Sequence, residues 1–203
     1  MEIRQEDLKQ LSGLLANPRQ NIVIVSHTNP DGDAVGSSLA WRDVLERMGH
    51  RVTCLIPNKY PYFLDWMPGI DTVVSFKNDE TGLTRRVVAE ADLIFCLDFN
   101  AISRLEGLGE VIETNTTARR ILIDHHLSPP PGFDLSFSYP DASSTAFVVY
   151  SMIEKMLGIK AITKNMAEVL YVGMMTDTGN FSFSFLTPAL YRAVAVLAET
   201  GID

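Results

Sequence analysis

Ile22-Val23-Ile24-Val25-Ser26-His27-Thr28-Asn29-Pro30-Asp31-Gly32-Asp33 runs from an unbroken apolar stretch straight into imidazole and carboxylate groups. Four consecutive branched aliphatic residues leave no polar face, which predicts a strand covered on both sides, as in parallel sheets. Pro30 and Gly32 favour a tight loop that folds several side chains around one point. Asp33 then opens a helix whose first turns carry the small residues Ala34, Gly36, Ser37 and Ser38. Small residues permit close backbone approach, and a helix N-terminus favours anions such as phosphate.

The same grammar recurs along the chain. Leu93-Ile94-Phe95-Cys96-Leu97 ends in Asp98, and Ile121-Leu122-Ile123 ends in Asp124-His125-His126. Apolar runs at 21–26, 51–56, 72–75, 92–97 and 120–123 predict strands. Amphipathic stretches at 5–15, 33–48, 83–90, 102–114, 143–157, 164–176 and 188–199 predict helices. Gly49 and Gly158 mark helix ends. Thr187 caps a final helix with Pro188 in its first turn and Gly201 beyond it. The alternation predicts an α/β protein: a doubly wound, mainly parallel five-stranded sheet with helices on both faces. Ligands of such sheets bind beyond the carboxyl ends of the strands, where His27, Asp98 and Asp124 fall. Pro129-Pro130-Pro131-Gly132 reads as a stiff surface loop rather than a domain boundary. Phe181, Phe183 and Phe185 alternate with serines, which reads as a further strand with one buried face.

The 203 residues suffice to bury a substantial core, and 46% apolar with 21% charged residues fits a globular chain. No apolar run approaches the roughly 20 residues that cross a bilayer, and the acidic, polar start does not read as a signal peptide. Cys54 and Cys96 both lie in apolar strand-like runs, which predicts free buried thiols and a reducing, cytoplasmic setting. A net charge of −8 disfavours extensive duplex-DNA contacts. It leaves small phosphorylated substrates open, because bound cations set the local sign of a site. Met152, Met156, Met174 and Met175 read as packing, and Arg85-Arg86 and Arg119-Arg120 as solvated.

Four acidic or imidazole clusters stand out: His27/Asp31/Asp33, Asp98, Asp124-His125-His126, and Asp177 at a helix C-terminus. An Asp at that helix end opposes the dipole and calls for a compensating cation. A carboxylate at the mouth of a buried strand calls for a partner or a metal. Adjacent histidines in an extended segment are expected to point to opposite sides, one to a metal and one elsewhere. Together the clusters supply five carboxylates and three imidazoles. Such mixed oxygen and nitrogen donors suit Mn²⁺, with Mg²⁺, Co²⁺ or Zn²⁺ as alternatives, and the absence of Cys from the set argues against structural zinc.

These segments resemble, in order and spacing, motifs I to IV of the DHH phosphoesterase superfamily, whose name is the triplet seen here as Asp124-His125-His126. Leu97-Asp98 through Arg104-Leu105 resembles motif II with its trailing Arg, and Ser143-Ser144-Thr145 the hydroxyl-rich helix start after motif III. The resemblance covers about residues 20–185 and is strongest to the nano-RNase and pAp-phosphatase branch, also described as exopolyphosphatase-related. It implies two divalent ions: His27 and Asp31 on one, Asp33, His125 and Asp177 on the other, and Asp98 bridging both. It implies Asp124 as an orienter of imidazole, His126 at the scissile phosphate or leaving group, and Arg104, Ser143, Ser144 and Thr145 as substrate contacts. The implied reaction is attack by a metal-bridging hydroxide on short single-stranded oligonucleotides or pAp. Hydrolysis of pyrophosphate or polyphosphate, or a non-catalytic nucleotide-binding role, are the alternatives. Superfamily members carry a smaller C-terminal DHHA1 domain with a Gly-rich, His-containing motif. No such segment is seen up to Asp203, so residues 1–203 are expected to be the DHH catalytic domain alone, as a truncated form or a short protein. The sequence leaves the oligomeric state open.

Overall fold

The fold is a computed structural model that describes residues 1–128, 131–183 and 185–203. Six strands form one sheet: β1 (Asn21–Ser26), β2 (Arg51–Ile56), β3 (Val74–Ser75), β4 (Leu93–Leu97), β5 (Arg119–Asp124) and β6 (Leu135–Ser138). Every pairing is parallel, and the order is β3-β2-β1-β4-β5-β6. The described residues form seven α-helices: α1 (Gln5–Leu14), α2 (Gly32–Arg47), α3 (Leu83–Ala89), α4 (Gly107–Thr114), α5 (Thr145–Leu157), α6 (Lys164–Asp177) and α7 (Pro188–Glu199); α2, α3 and α4 lie between strands, α1 precedes β1, and α5 to α7 follow β6.

Side chains of a strand alternate between faces, so each central strand feeds two cores. Ile22, Ile24, Phe95, Ile121 and Ile123 pack with residues of α1, α2, α5, α6 and α7. Val23, Val25, Ile94, Cys96 and Leu122 face α3 and α4 on the other side. Covering on both faces is why these strands read as continuous apolar runs. β1 and β4 are neighbours but are entered from opposite directions of winding. Their carboxyl ends therefore part around a crevice, the position where doubly wound sheets hold ligands.

Three helices close on that crevice at unusually short range. A Cβ on Gly36 of α2 would lie 2.3 Å from the Val169 carbonyl oxygen of α6. A Cβ on Gly173 of α6 would lie 2.6 Å from Ala146 Cβ of α5 and 2.9 Å from Asp33 Oδ1. The small residues that follow the His27 loop thus let α2 lie directly against α6.

The sheet has one strand more than the five predicted. β6 is four residues long and alternates, with Leu135 and Phe137 buried and Ser136 and Ser138 half-buried. Two apolar residues after a proline-rich stretch are too weak a signal for a strand. The helix predicted over 102–114 is split into a 3₁₀ turn at Ile102–Leu105 and α4, because Glu106 adopts a left-handed φ of 49°. No strand forms over residues 181–183 or at Phe185. Gly179, Asn180, Phe181 and Phe185 all have positive φ, and Phe181 N–H donates to Thr178 Oγ1 at 3.0 Å. Phe181 packs against Tyr171 and Tyr191, while Phe183 and Phe185 are exposed. Ser184, and Pro129 and Pro130 of the predicted stiff loop, lie outside the described residues.

Cys54 and Cys96 are free and buried as predicted, and burial pushes both thiols up to about 12. Met152 and Met174 are buried in the core. Thr187 caps α7, its Oγ1 accepting from Leu190 N–H at 3.2 Å, with Pro188 in the first turn. Thr187→Ala is expected to cost about 1 kcal/mol in a denaturant titration; an unchanged midpoint would show the cap to be idle.

Candidate metal centre

His27 follows β1, Asp98 follows β4 and Asp124 ends β5, so three neighbouring strands deliver their polar ends to one edge of the sheet. Asp31 caps α2: its Oδ1 accepts from Asp33 N–H at 2.9 Å and Ala34 N–H at 3.0 Å. Its side chain stays exposed. Asp33, two residues on and within the first turn, is fully buried and caps a different helix. Its Oδ2 accepts from Thr145 N–H at 2.6 Å and its Oδ1 from Ala146 N–H at 2.7 Å, at the start of α5. Asp177 is the last residue of α6.

The donors converge on Asp98. Its Oδ2 lies 3.4 Å from His27 Nε2, and its Oδ1 lies 3.5 Å from His125 Nε2 and 2.9 Å from the donating Thr145 hydroxyl. His125 Nε2 also lies 3.1 Å from Asp177 Oδ2 and 3.9 Å from Asp33 Oδ2. His27 Nδ1 sits 2.7 Å from the Thr28 carbonyl. A carbonyl only accepts, so that nitrogen carries a proton and Nε2 is the ring atom that faces Asp98. His126 Nδ1 donates to Asp124 Oδ1 at 2.7 Å. Asp124 Oδ2 is buried without a partner among the described residues.

Expected to diverge, the two adjacent imidazoles do not. Their ring centroids are 4.8 Å apart. β5 ends at Asp124, so residues 125 and 126 have left the pleat that would have alternated them.

Packing acidic groups this closely perturbs them. Burial first, and then the charge of Asp31, lifts the Asp98 carboxyl to about 8. Burial, then Asp98 and Asp177, holds Asp33 well above the usual carboxylate range. For His125, burial opposes protonation, but the Asp177 hydrogen bond and the charges of Asp33 and Asp98 prevail and raise it to about 10. The Asp124 hydrogen bond raises His126. Buried carboxylates crowded together in this way resist ionisation, which marks a site where a bound cation would relieve their mutual repulsion. Among the described residues, three donor groups bring ligand atoms within 4.8 Å of one another: His27, Asp31 and Asp98; Asp33, His125 and Asp177; and Asp98, His125 and His126. The first two share no residue and form two separate donor groups.

The other predicted contacts divide. Ser144 caps α5, its Oγ accepting from Phe147 N–H at 3.0 Å, and Thr145 serves Asp98; both are fully buried. Ser143 is buried, with its Oγ unpartnered among the described residues. Arg104 has an exposed side chain, and its carbonyl accepts from Thr28 N–H at 2.9 Å, which places it beside the His27 loop. Arg119 pairs with Asp134 at 2.9 Å, and Arg120 donates to the Ile112 and Asn115 carbonyls, at the opposite end of β5 from His125. Asn58 was not foreseen. Its Oδ1 accepts from Thr28 Oγ1 at 2.9 Å and Asn29 N–H at 2.7 Å, pinning the loop that carries His27 and Asp31. A single Asn after β2 carries no signal in sequence.

Fold and site together define a doubly wound α/β protein with a carboxylate–imidazole centre at its topological switch point. The model of the DHH family, N-terminal domain, matches residues 21–174, and the chain belongs to the DHH family. The bifunctional oligoribonuclease and PAP phosphatase NrnA of Thermus thermophilus is 30% identical over 200 residues, spanning 97% of this chain and 55% of that protein. An exopolyphosphatase-related protein from Bacteroides fragilis superposes with a TM-score of 0.94 at 36% identity, over 99% of this chain and 58% of its own. Exonuclease RecJ, in a manganese-bound structure, shares the fold at a TM-score of 0.56 and 17% identity, over 98% of this chain and 48% of that one. The chain thus spans about half the length of the curated relatives it matches, 55% and 52% for the first two.

Proposed function

We propose that this chain is the catalytic unit of a divalent-cation phosphoesterase that hydrolyses short single-stranded oligonucleotides, pAp, or both. The observation that carries the reading is Asp98, whose two carboxylate oxygens face the two donor groups separately. His27 and Asp31 would hold one ion, Asp33, His125 and Asp177 the other, and Asp98 would serve both. When bound, such a pair supplies Lewis acidity to phosphoryl oxygens and lowers the pKa of water. The chosen ion is Mn²⁺, with Mg²⁺, Co²⁺ and Zn²⁺ as alternatives, from the mixed donor set.

The chain's own groups do the rest. Thr145 holds the Asp98 carboxylate in place through its hydroxyl. Asp124 fixes the His126 ring through Nδ1 and raises its affinity for a proton. His126 can therefore bind a phosphate oxygen or protonate a departing alkoxide near neutral pH. The name of the Thermus relative supports nucleotide substrates, and the name of the Bacteroides neighbour supports polyphosphate as a second reading. A cytoplasmic setting goes with the free thiols, and among the described residues no helix is long and apolar enough to cross a membrane.

The test is a side-by-side assay with Mn²⁺ of di- to pentanucleotides, pAp, pyrophosphate and tripolyphosphate. Release of nucleoside monophosphates, or of phosphate from pAp, is expected. Hydrolysis of the inorganic substrates alone would favour the second reading, and hydrolysis of none would sink both.

Metal loading should be linked to protons. Without a cation, Asp98 at about 8 and His125 at about 10 both hold a proton at pH 7. A bound ion must expel them, so at least two protons should leave per protein at that pH, Asp33 being held above the usual carboxylate range as well. The sign follows: affinity for Mn²⁺ strengthens as pH rises towards 8 and weakens on acidification. Calorimetry in buffers of different ionisation enthalpy counts the protons, and a count of zero would contradict the ligand assignment.

A further inference from the structure

β2 runs beside β1 in parallel register, Val25 opposite Leu55, so the residues just past the two strands leave the sheet side by side. Asn58 lies there and meets the loop that carries His27 and Asp31 with its whole carboxamide. Its Oδ1 accepts from Asn29 N–H at 2.7 Å and from Thr28 Oγ1 at 2.9 Å. Its Nδ2 donates to Asn29 Oδ1 at 3.0 Å and to the Lys59 carbonyl at 3.4 Å. Asn29 has a φ of 52°, a left-handed conformation that two bonds from one partner hold in place.

Asn29 N–H and the Thr28 carbonyl belong to one peptide unit. That unit is trans, so the two groups point to opposite sides of a rigid plane. Asn58 Oδ1 takes the N–H end, and His27 Nδ1 donates to the carbonyl end at 2.7 Å. The preceding peptide is tied separately, Thr28 N–H donating to the Arg104 carbonyl at 2.9 Å. Hydrogen bonds at the two ends of one amide polarise each other. A proton held on Nδ1 is what leaves Nε2 of an imidazole available to a cation. Asn58 thus stands one peptide away from the ring that faces Asp98 at 3.4 Å. Among the described residues it bonds none of Asp33, His125 and Asp177, which lie on α2, just past β5 and on α6.

We propose that Asn58 is a positioning residue: through the Thr28–Asn29 peptide it holds the His27 imidazole with its proton on Nδ1, and so sets the affinity of the cation position built on His27 and Asp31 without setting that of the other. The proposal rests on the two-ion reading for what His27 binds, and it makes the two positions separately tunable.

The experiment compares Asn58→Ala, Asn58→Asp and Thr28→Val with the unaltered chain in two measurements. Calorimetry reads Mn²⁺ binding. ¹⁵N NMR of the metal-free proteins, in alkaline buffer where an ordinary imidazole is neutral, reads which His27 nitrogen holds the proton. Losing an outer partner of a metal-binding histidine costs about tenfold or more in metal affinity. Asn58→Ala should therefore weaken one of two Mn²⁺ binding events about tenfold and mix the two His27 tautomers. Asn58→Asp keeps an acceptor for Asn29 N–H and should restore the Nδ1 proton, although both Nδ2 bonds are gone. Thr28→Val removes the hydroxyl bond alone and should keep the tautomer. A tie that only braced the loop would lower the melting temperature and move neither readout. An Asn58→Ala protein with an unchanged tautomer would overturn the proposal, as would equal weakening of both Mn²⁺ events or loss of the Nδ1 proton in Thr28→Val. Should the unaltered chain bind no Mn²⁺, the two-ion reading falls, and the tautomer still decides what Asn58 does.

Discussion

Asp98→Asn is expected to lower kcat by on the order of a thousandfold with Mn²⁺ while the metal-free protein melts no lower than before. Asn is nearly the same shape, and it still accepts the Thr145 hydroxyl at the position of Oδ1. It also suits the backbone, since residue 98 has a φ of 63°, a left-handed conformation that Asn tolerates better than most residues. Ala would confuse backbone strain with ligand loss. What Asn removes is the charge two cations would share.

The stability half follows from the direction of the shift. A carboxyl raised to about 8 in the fold is protonated in both folded and unfolded chains at low pH, so it costs nothing there. Above the unfolded value near 3.8 the unfolded chain ionises more readily, and the fold weakens progressively until pH approaches 8. Asn is free of that penalty. Melts in chelator should show the variant equal to wild type near pH 4 and equal or higher at pH 7. A kcat within tenfold of wild type, or a melting temperature several degrees lower at pH 7, would show that Asp98 is structural rather than a shared ligand.

Gly36→Ala should be strongly destabilising, because of all the glycines it offers the shortest approach of an added methyl to a backbone atom. The new Cβ would sit 2.3 Å from the Val169 carbonyl oxygen, a backbone atom that cannot rotate away. α2 and α6 must separate, at a cost of about 3 kcal/mol, or roughly 10 °C in Tm for a chain of this length. α2 carries Asp33 and α6 carries Asp177, so the same displacement should weaken cation binding. Gly13→Ala is the matched control: nothing lies within 4 Å of its Cβ position, and Ala in α1 should stabilise by about 1 kcal/mol. Equal melting temperatures for the two variants would mean that the helices adjust without loss.

The sheet core and the acidic and imidazole residues that gather at the candidate site were legible because each has a local signature. Buried parallel strands read as apolar runs, and the acidic and imidazole groups stand at their ends. The elements that were missed have no such signature. β6 has two apolar residues and relies on its pairing with β5. Phe181 and Phe183 alternate like a strand, but the positive φ values from Gly179 onward turn the chain instead, and only the packing of Phe181 between two tyrosines shows why. The side-by-side placement of His125 and His126 depends on where β5 stops, which no spacing rule fixes. Thr145 and Asn58 act through hydrogen bonds to residues distant in sequence, and such ties become visible only in three dimensions.

Asp33 bonds the amides that begin α5, 113 positions further along the chain at Ala146. Until that helix has formed and docked, Asp33 has no fixed orientation, and Asp177 at the end of α6 comes later still. A ribosome making this protein therefore exposes His27 and Asp31 long before their counterparts exist. On the proposed ligand assignment, cation capture during synthesis would wait for α5 and α6 to dock rather than follow the first motif.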